Sequence, residues 1–195
     1  ADAGMVDGAT GDAGSTATPD AMPLPEAAPF ALCTLDDIAT DDVSGYRDHW
    51  SPASAEVDVP WPDAPGRCGD DEETLAWRLM NCERAQRGLQ PLACDLRLVW
   101  AGRHYAGAMA GGEFYAHRDA EGRSPFDRLQ EYGIAYSWAG ENLAENTDIE
   151  RAHETLMSSA AHRRNMLNDR YTHAGVGVVR ASDELLRSNM LLIRP

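Results

Sequence analysis

The densest chemistry in the chain lies in two histidines and a glutamate. His117 stands in Phe-Tyr-Ala-His-Arg-Asp, Glu141 in Ala139-Gly-Glu-Asn-Leu-Ala-Glu-Asn146, and His162 in Ser-Ser-Ala-Ala-His-Arg-Arg-Asn. Two imidazoles and one carboxylate are an accepted zinc set that leaves one position open for water. The same groups could serve as a general base and the acid that orients it. Spacing alone does not show that they meet, and it favours a purely structural hydrogen-bond network, which Arg118, Asp119 and Arg163 beside them would also suit.

Other chemistries are excluded or weak. All 17 basic residues are arginine, so a lysine Schiff base or lysine general base has no residue to use. His153-Glu154 begins like a zinc-protease His-Glu-x-x-His helix, but Met157 stands where the second histidine is required. No Gly-x-Ser-x-Gly elbow supplies a nucleophile, and Ser137, Ser158 and Ser159 read as ordinary loop serines. Gly175-Val-Gly177 lacks the following helix that would bind a pyrophosphate. A formal net charge of -15 argues against nucleic acid, because phosphate contacts need a basic face.

The elements that must position these residues follow from periodicity and caps. Asp70 and Glu73 form a capping-box variant at the start of a helix with Leu75, Leu79 and Cys82 on one face, ended by Gly88. Asp95 caps a second helix whose stripe of Leu98, Ala101, Tyr105 and Ala108 runs to Gly111-Gly112. His104, near that stripe, is expected as a satisfied core histidine. Ser124-Pro125-Phe-Asp127 starts a short third helix through Tyr132. Thr147-Asp-Ile-Glu150 is a second capping box, opening a helix that ends before Ser158. After a polar turn from Asn165 to Arg170, residues 174–179 and 185–193 predict two strands joined around Ser182-Asp183. Gly175 and Gly177 alternate with valines, so one face of that strand admits a close neighbour. Helices before strands make the class α+β, layered as helix, sheet, helix.

The acid balance divides the chain. Residues 1–69 carry thirteen acids against two arginines, the remainder nineteen against fifteen. Residues 1–29, rich in Ala, Gly, Asp, Thr and Pro, read as a flexible linker. Residues 30–69 read as an irregular acidic extension that packs on the domain at 70–195. Four cysteines without a Cys-x-x-Cys pair suggest two disulfides and an oxidising compartment. The short connector Leu89 to Leu92 brings Cys82 near Cys94, which predicts that bridge and leaves Cys33 to Cys68. No run of about 18 apolar residues is present to span a membrane. The start has neither a charged nor an apolar leader region, so a signal peptide is expected to be already removed.

From about Leu75 to the end the chain resembles the CAP superfamily, the cysteine-rich secretory protein, antigen 5 and pathogenesis-related domain, in its compact bacterial form. The matching pieces are Asn81-Cys-Glu-Arg-Ala-Gln-Arg-Gly88 with Pro91-Leu92, His104-Tyr-Ala-Gly-Ala-Met109, Phe114-Tyr-Ala-His117, Gly122-Arg-Ser-Pro-Phe-Asp-Arg128, Gly140-Glu-Asn-Leu143, Ser159-Ala-Ala-His-Arg-Arg-Asn165 and Gly175-Val-Gly177. The resemblance implies an α/β/α sandwich, SCP-like, in a secreted or surface-exposed protein. Its cleft would be lined by His117 and Glu141 of the family's His/Glu tetrad, with His162 as the bacterial-type second histidine. Ser159 and Tyr171 stand where animal and plant members place a further glutamate and histidine, so the tetrad is incomplete. Catalytic candidates are therefore His117, Glu141 and His162, ligand-binding candidates the same three with Ser159, and metal ligands His117 and His162. Arg128, Asn142, Arg163 and Asn165 are expected as framework. No cofactor is required, a divalent metal such as zinc being an option. The implied function is binding of a small molecule, lipid or extracellular partner without robust catalysis, at the cell surface or outside it, with or without a lipid tether. The alternative is a metal-dependent or His/Glu-assisted hydrolase of protease type.

Overall fold

The computed structural model describes residues 6–9, 67–112 and 114–195. Asp70 opens helix α1 (Asp71–Gln86) through the expected reciprocal box, its carboxylate accepting from the Glu73 N–H while Glu73 accepts from the Asp70 N–H. Two donors that a helix start leaves unpaired are thereby satisfied. Asp95 caps α2 (Leu96–Gly111), and Ser124 with Asp127 boxes α3 (Pro125–Glu131) behind the proline. Helix α4 (Ile149–Ser158) differs from expectation by one residue: its cap is Asp148, which accepts from the Arg151 N–H. Thr147 instead donates its hydroxyl to the Asp148 carboxylate. The helix also keeps Ser158, and a further helix, α5 (Ala160–Met166), follows at once.

Among the described residues, five strands form one sheet: β1 (Val6–Ala9), β2 (Ala93–Cys94), β3 (Trp138–Asn146), β4 (His173–Arg180) and β5 (Leu186–Arg194), in the order β1-β3-β5-β4-β2. The expected hairpin is β4 and β5. Strand β3 carries the Glu141 motif and pairs antiparallel with β5, Glu141 opposite Leu191 and Asn142 opposite Met190. Residues 139–144 are all buried, which removes the alternation that marks a half-exposed strand. Helices α2 and α3 cover one face through Leu98, Ala101, Leu129, Ala139, Leu191 and Ile193. Helices α1, α4 and α5 cover the other, where Trp77, Met80, Leu156, Met166, Val176 and Met190 pack. The result is the three-layer α/β/α sandwich, held by side chains each worth about 1.5–3 kcal/mol when fully buried.

The disulfide expectation is overturned. Cys68 bonds Cys94, with an S–S distance of 2.08 Å, and Cys82 is itself disulfide-bonded elsewhere. Neither Cys82–Cys94 nor Cys33–Cys68 therefore forms. The connector does bring Leu92 to α1, where Asn81 holds both its N–H and its carbonyl and Trp77 Nε1 donates to the same carbonyl. From there β2 runs toward the start of α1, so Cys94 moves away from Cys82 and meets Cys68 just ahead of the helix. Within the stretch expected as linker, Val6–Ala9 pair antiparallel with β3 from Trp138 to Glu141. Residues 10–66, which hold Cys33 and most of the linker and extension, lie outside the described residues.

Glu73 does more than cap. It has no exposed surface, and besides Asp70 it accepts from Arg103 Nε at 2.8 Å on α2 and from the Val178 N–H at 3.3 Å on β4. Burial pushes its pKa above the usual carboxylate value, against the hydrogen bond from Arg103. A raised folded pKa means the native state holds the proton longer than the unfolded chain. The associated stability is full below the unfolded value of about 4.3 and is lost as pH rises through the folded one. Across that window the melting temperature of the wild type is expected to fall relative to that of Glu73→Gln, measured in parallel scans; a constant difference contradicts the assignment.

Candidate functional site

Glu141 is completely buried in mid-sheet, where an ionised carboxylate is tolerated only when paired and hydrogen-bonded. Three donors meet it. His117 Nδ1 lies 2.7 Å from Oε1, while Arg128 Nη2 at 2.7 Å and Asn189 Nδ2 at 2.5 Å donate to Oε2. An ionised carboxylate only accepts, so His117 Nδ1 is the donor of this pair, and in the neutral tautomer Nε2 is left as the acceptor. That Nε2 is buried and has no hydrogen-bond partner among the described residues. The His117 side chain as a whole is 13% exposed, against 6% for Arg128.

The loop that carries His117 is fastened at two successive carbonyls. Tyr105 of α2 donates its hydroxyl to the Ala116 carbonyl at 2.5 Å, and Arg128 Nη1 donates to the His117 carbonyl at 2.9 Å and the Arg123 carbonyl at 3.1 Å. The guanidinium also lies 3.4 Å above the Tyr105 ring. Burial pushes the Tyr105 pKa up to about 12, so it remains a neutral donor. Arg128 thus holds loop carbonyls and also pairs directly with Glu141. Neither Tyr105 nor Asn189 was singled out for the site, because a tyrosine on an apolar stripe and an asparagine in a C-terminal strand carry no local motif.

Asn142 points to the opposite face. Its Nδ2 donates to the His162 carbonyl at 3.1 Å, and its Oδ1 accepts from Asn165 Nδ2 at 3.0 Å. Asn165 Oδ1 in turn accepts from the Tyr171 hydroxyl at 2.9 Å. Arg163 Nη1 donates to the Met157 carbonyl and fastens the corner between α4 and α5. Arg84, also without a local signal, is 1% exposed and reaches the carbonyls of Gln90, Met166 and Asn168. His153 is buried with Nε2 3.2 Å from Glu83 Oε1. His104 is exposed rather than a core residue: it is stacked on Trp100 and its Nδ1 is 3.0 Å from the Tyr132 hydroxyl. It sits one position short of the buried Tyr105.

The structure therefore brings His117 to Glu141 and leaves His162 and Ser159 in the layer on the Asn142 side. Ser159 occupies the cap position of α5 without a capping bond. The zinc set of His117, Glu141 and His162 is not assembled, because Glu141 and Asn142 are neighbours on a strand and face opposite ways. Among the described residues no group of three His, Cys, Asp or Glu side chains stands close enough to hold a metal. Both oxygens of Glu141 are already engaged, one by a cation, so the residues present do not fit a divalent ion.

Solved structures share this architecture. An extracellular protein containing an SCP domain from Bacillus anthracis str. Ames superposes with a TM-score of 0.57 at 27% identity, over 64% of this chain and 40% of that one. An outer surface protein from Borrelia burgdorferi does so with a TM-score of 0.58 at 18% identity, over 62% of this chain and 90% of that one. In sequence, the uncharacterized protein YkwD of Bacillus subtilis (strain 168) is 34% identical over 155 residues, 79% of this chain and 59% of the relative. The uncharacterized membrane protein YlbC of the same organism is 35% identical over 103 residues, 52% of this chain and 30% of the relative. This chain thus spans 59% and 30% of the length of those relatives. The model of the cysteine-rich secretory protein family, CAP, matches residues 77–186, and the chain belongs to that family.

Proposed function

We propose that this CAP domain binds a small ligand outside the cell or at its surface, through His117. The observation that carries the reading is the buried His117 Nε2, without a hydrogen-bond partner among the described residues, on a ring whose Nδ1 is held by Glu141. A ligand hydroxyl, amide or amine that donates to Nε2 would satisfy an acceptor that is otherwise unpaired at a cost of about 1–3 kcal/mol. The exported setting is supported by the Cys68–Cys94 bridge and by the extracellular SCP-domain neighbour from Bacillus anthracis. No helix among the described residues is long and apolar enough to cross a membrane.

The test is an unbiased binding screen of glycans, lipids and peptides against wild type and His117→Phe, with imidazole nitrogen NMR to read the tautomer. Wild type is expected to show a hydrogen on Nδ1, and His117→Phe to lose roughly tenfold in affinity for any ligand found, the worth of one hydrogen bond. Equal affinity removes His117 from the site. A hydrolase reading has one observation in its favour, since Glu141 orients His117 as a carboxylate orients a general base. Among the described residues no serine, threonine or cysteine side chain bonds His117 Nε2, so that reading needs turnover in a peptide or ester library that His117→Phe abolishes.

A further inference from the structure

Arg128 stands against Glu141 with the charge and at the distance that a bound cation would have. Its Nη2 is 2.7 Å from Glu141 Oε2, both side chains are at least nine-tenths buried, and its Nη1 is held by the carbonyls of His117 and Arg123 over the Tyr105 ring. With contacts on each side the guanidinium has no room to swing away. A divalent ion at Glu141 would meet this fixed positive charge a few ångströms off, or would have to displace the His117 N–H from Oε1 and release the ring. Binding at His117 Nε2 alone would offer one protein ligand where zinc sites use three or four.

We propose that Arg128 is the built-in cation of this site, so that His117 and Glu141 operate without a divalent metal, and that removing the guanidinium opens a cation site in its place. This deepens the reading of His117 as the binding group, because the ligand then meets the imidazole nitrogen rather than a metal ion. The groups that Arg128 would leave behind are a carboxylate oxygen and two backbone carbonyls, an all-oxygen set. Such a set suits a hard cation such as calcium better than zinc.

The experiment is thermal unfolding of wild type, Arg128→Lys and Arg128→Ala, each alone and with zinc chloride, calcium chloride or methylguanidinium, with no other ligand present. Wild type and Arg128→Lys are expected to show no shift with any additive. Arg128→Ala is expected to melt several degrees lower and to recover part of the loss with methylguanidinium and with calcium, more than with zinc. The recovery should vanish in Arg128→Ala/Glu141→Gln. If Arg128→Ala does not fold alone, the additives are supplied during refolding and recovery of native structure is the readout. The proposal is overturned by a zinc shift in wild type that Glu141→Gln abolishes, or by an Arg128→Ala protein that neither methylguanidinium nor calcium restores. Because no ligand is used, these outcomes are independent of whether His117 proves to bind one.

Discussion

Glu141→Ala is expected to destabilise the protein by about 3–5 kcal/mol, the loss typical when one partner of a buried ion pair is removed. The carboxylate has no exposed surface, and Arg128 beside it is 6% exposed, so truncation leaves a guanidinium out of water without its counter-ion. His117 Nδ1 and Asn189 Nδ2 lose their acceptor in the same step. Urea unfolding is the measurement to use, since guanidinium salts screen the ion pair and would take the place of Arg128 in the variants that lack it. The midpoint should fall with the slope unchanged. Arg128→Met should cost a similar amount, and the double variant Glu141→Ala/Arg128→Met clearly less than the sum, because the second change removes a charge that the first left unpaired. Additive losses would mean that the two residues act independently.

Gly177→Ala should cost more than about 4 kcal/mol or prevent folding, a size reserved for named steric failures. A Cβ at Gly177 on β4 would lie 1.7 Å from the Arg103 backbone nitrogen and 2.1 Å from the Gly102 carbonyl carbon on α2. Both are backbone atoms of a helix that cannot give way by changing a rotamer. Gly102 faces the strand in return, with its own Cβ position 2.7 Å from the Asn189 carbonyl oxygen. This contact seats α2 on the sheet and so sets Tyr105 beneath Arg128. Gly107→Ala on the same helix is the control. Its Cβ would meet only Val179 Cγ2 at 4.0 Å, and a helical glycine replaced by alanine should gain about 1 kcal/mol. Unfolding curves of the two variants should move in opposite directions; two small shifts of the same sign would contradict the close approach of α2.

Helix starts were the most legible part of the chain, because a cap is made with atoms two or three residues away. Asp70 with Glu73, Ser124 with Asp127, and Asp95 behave as their spacing predicts. Thr147 lost the cap to Asp148 because two adjacent candidates competed for one helix end and the carboxylate reached the Arg151 N–H. The β4–β5 hairpin and the glycine face of β4 were legible for a similar reason, since alternation is a property of consecutive residues. Strand β3 was hidden by its burial on both faces.

Sequence alone, through its local caps, glycines and motif order, determined the four capped helices but not α5, and with them the hairpin, the family and the candidacy of His117 and Glu141. Tertiary structure decided which groups share a site. Glu141 finds Asn189 48 residues on, across the β3–β5 register, and Arg128 from a helix in the covering layer. His162, one motif away in the chain, bonds Asn142 and falls on the other side of the sheet. Cys94 goes to Cys68 because β2 leaves Leu92 toward the start of α1. Local hydrogen bonds are set by residue types within a turn, whereas partners across a sheet depend on which face each side chain takes and on how the layers close over it. Spacing along the chain carries no record of that closure.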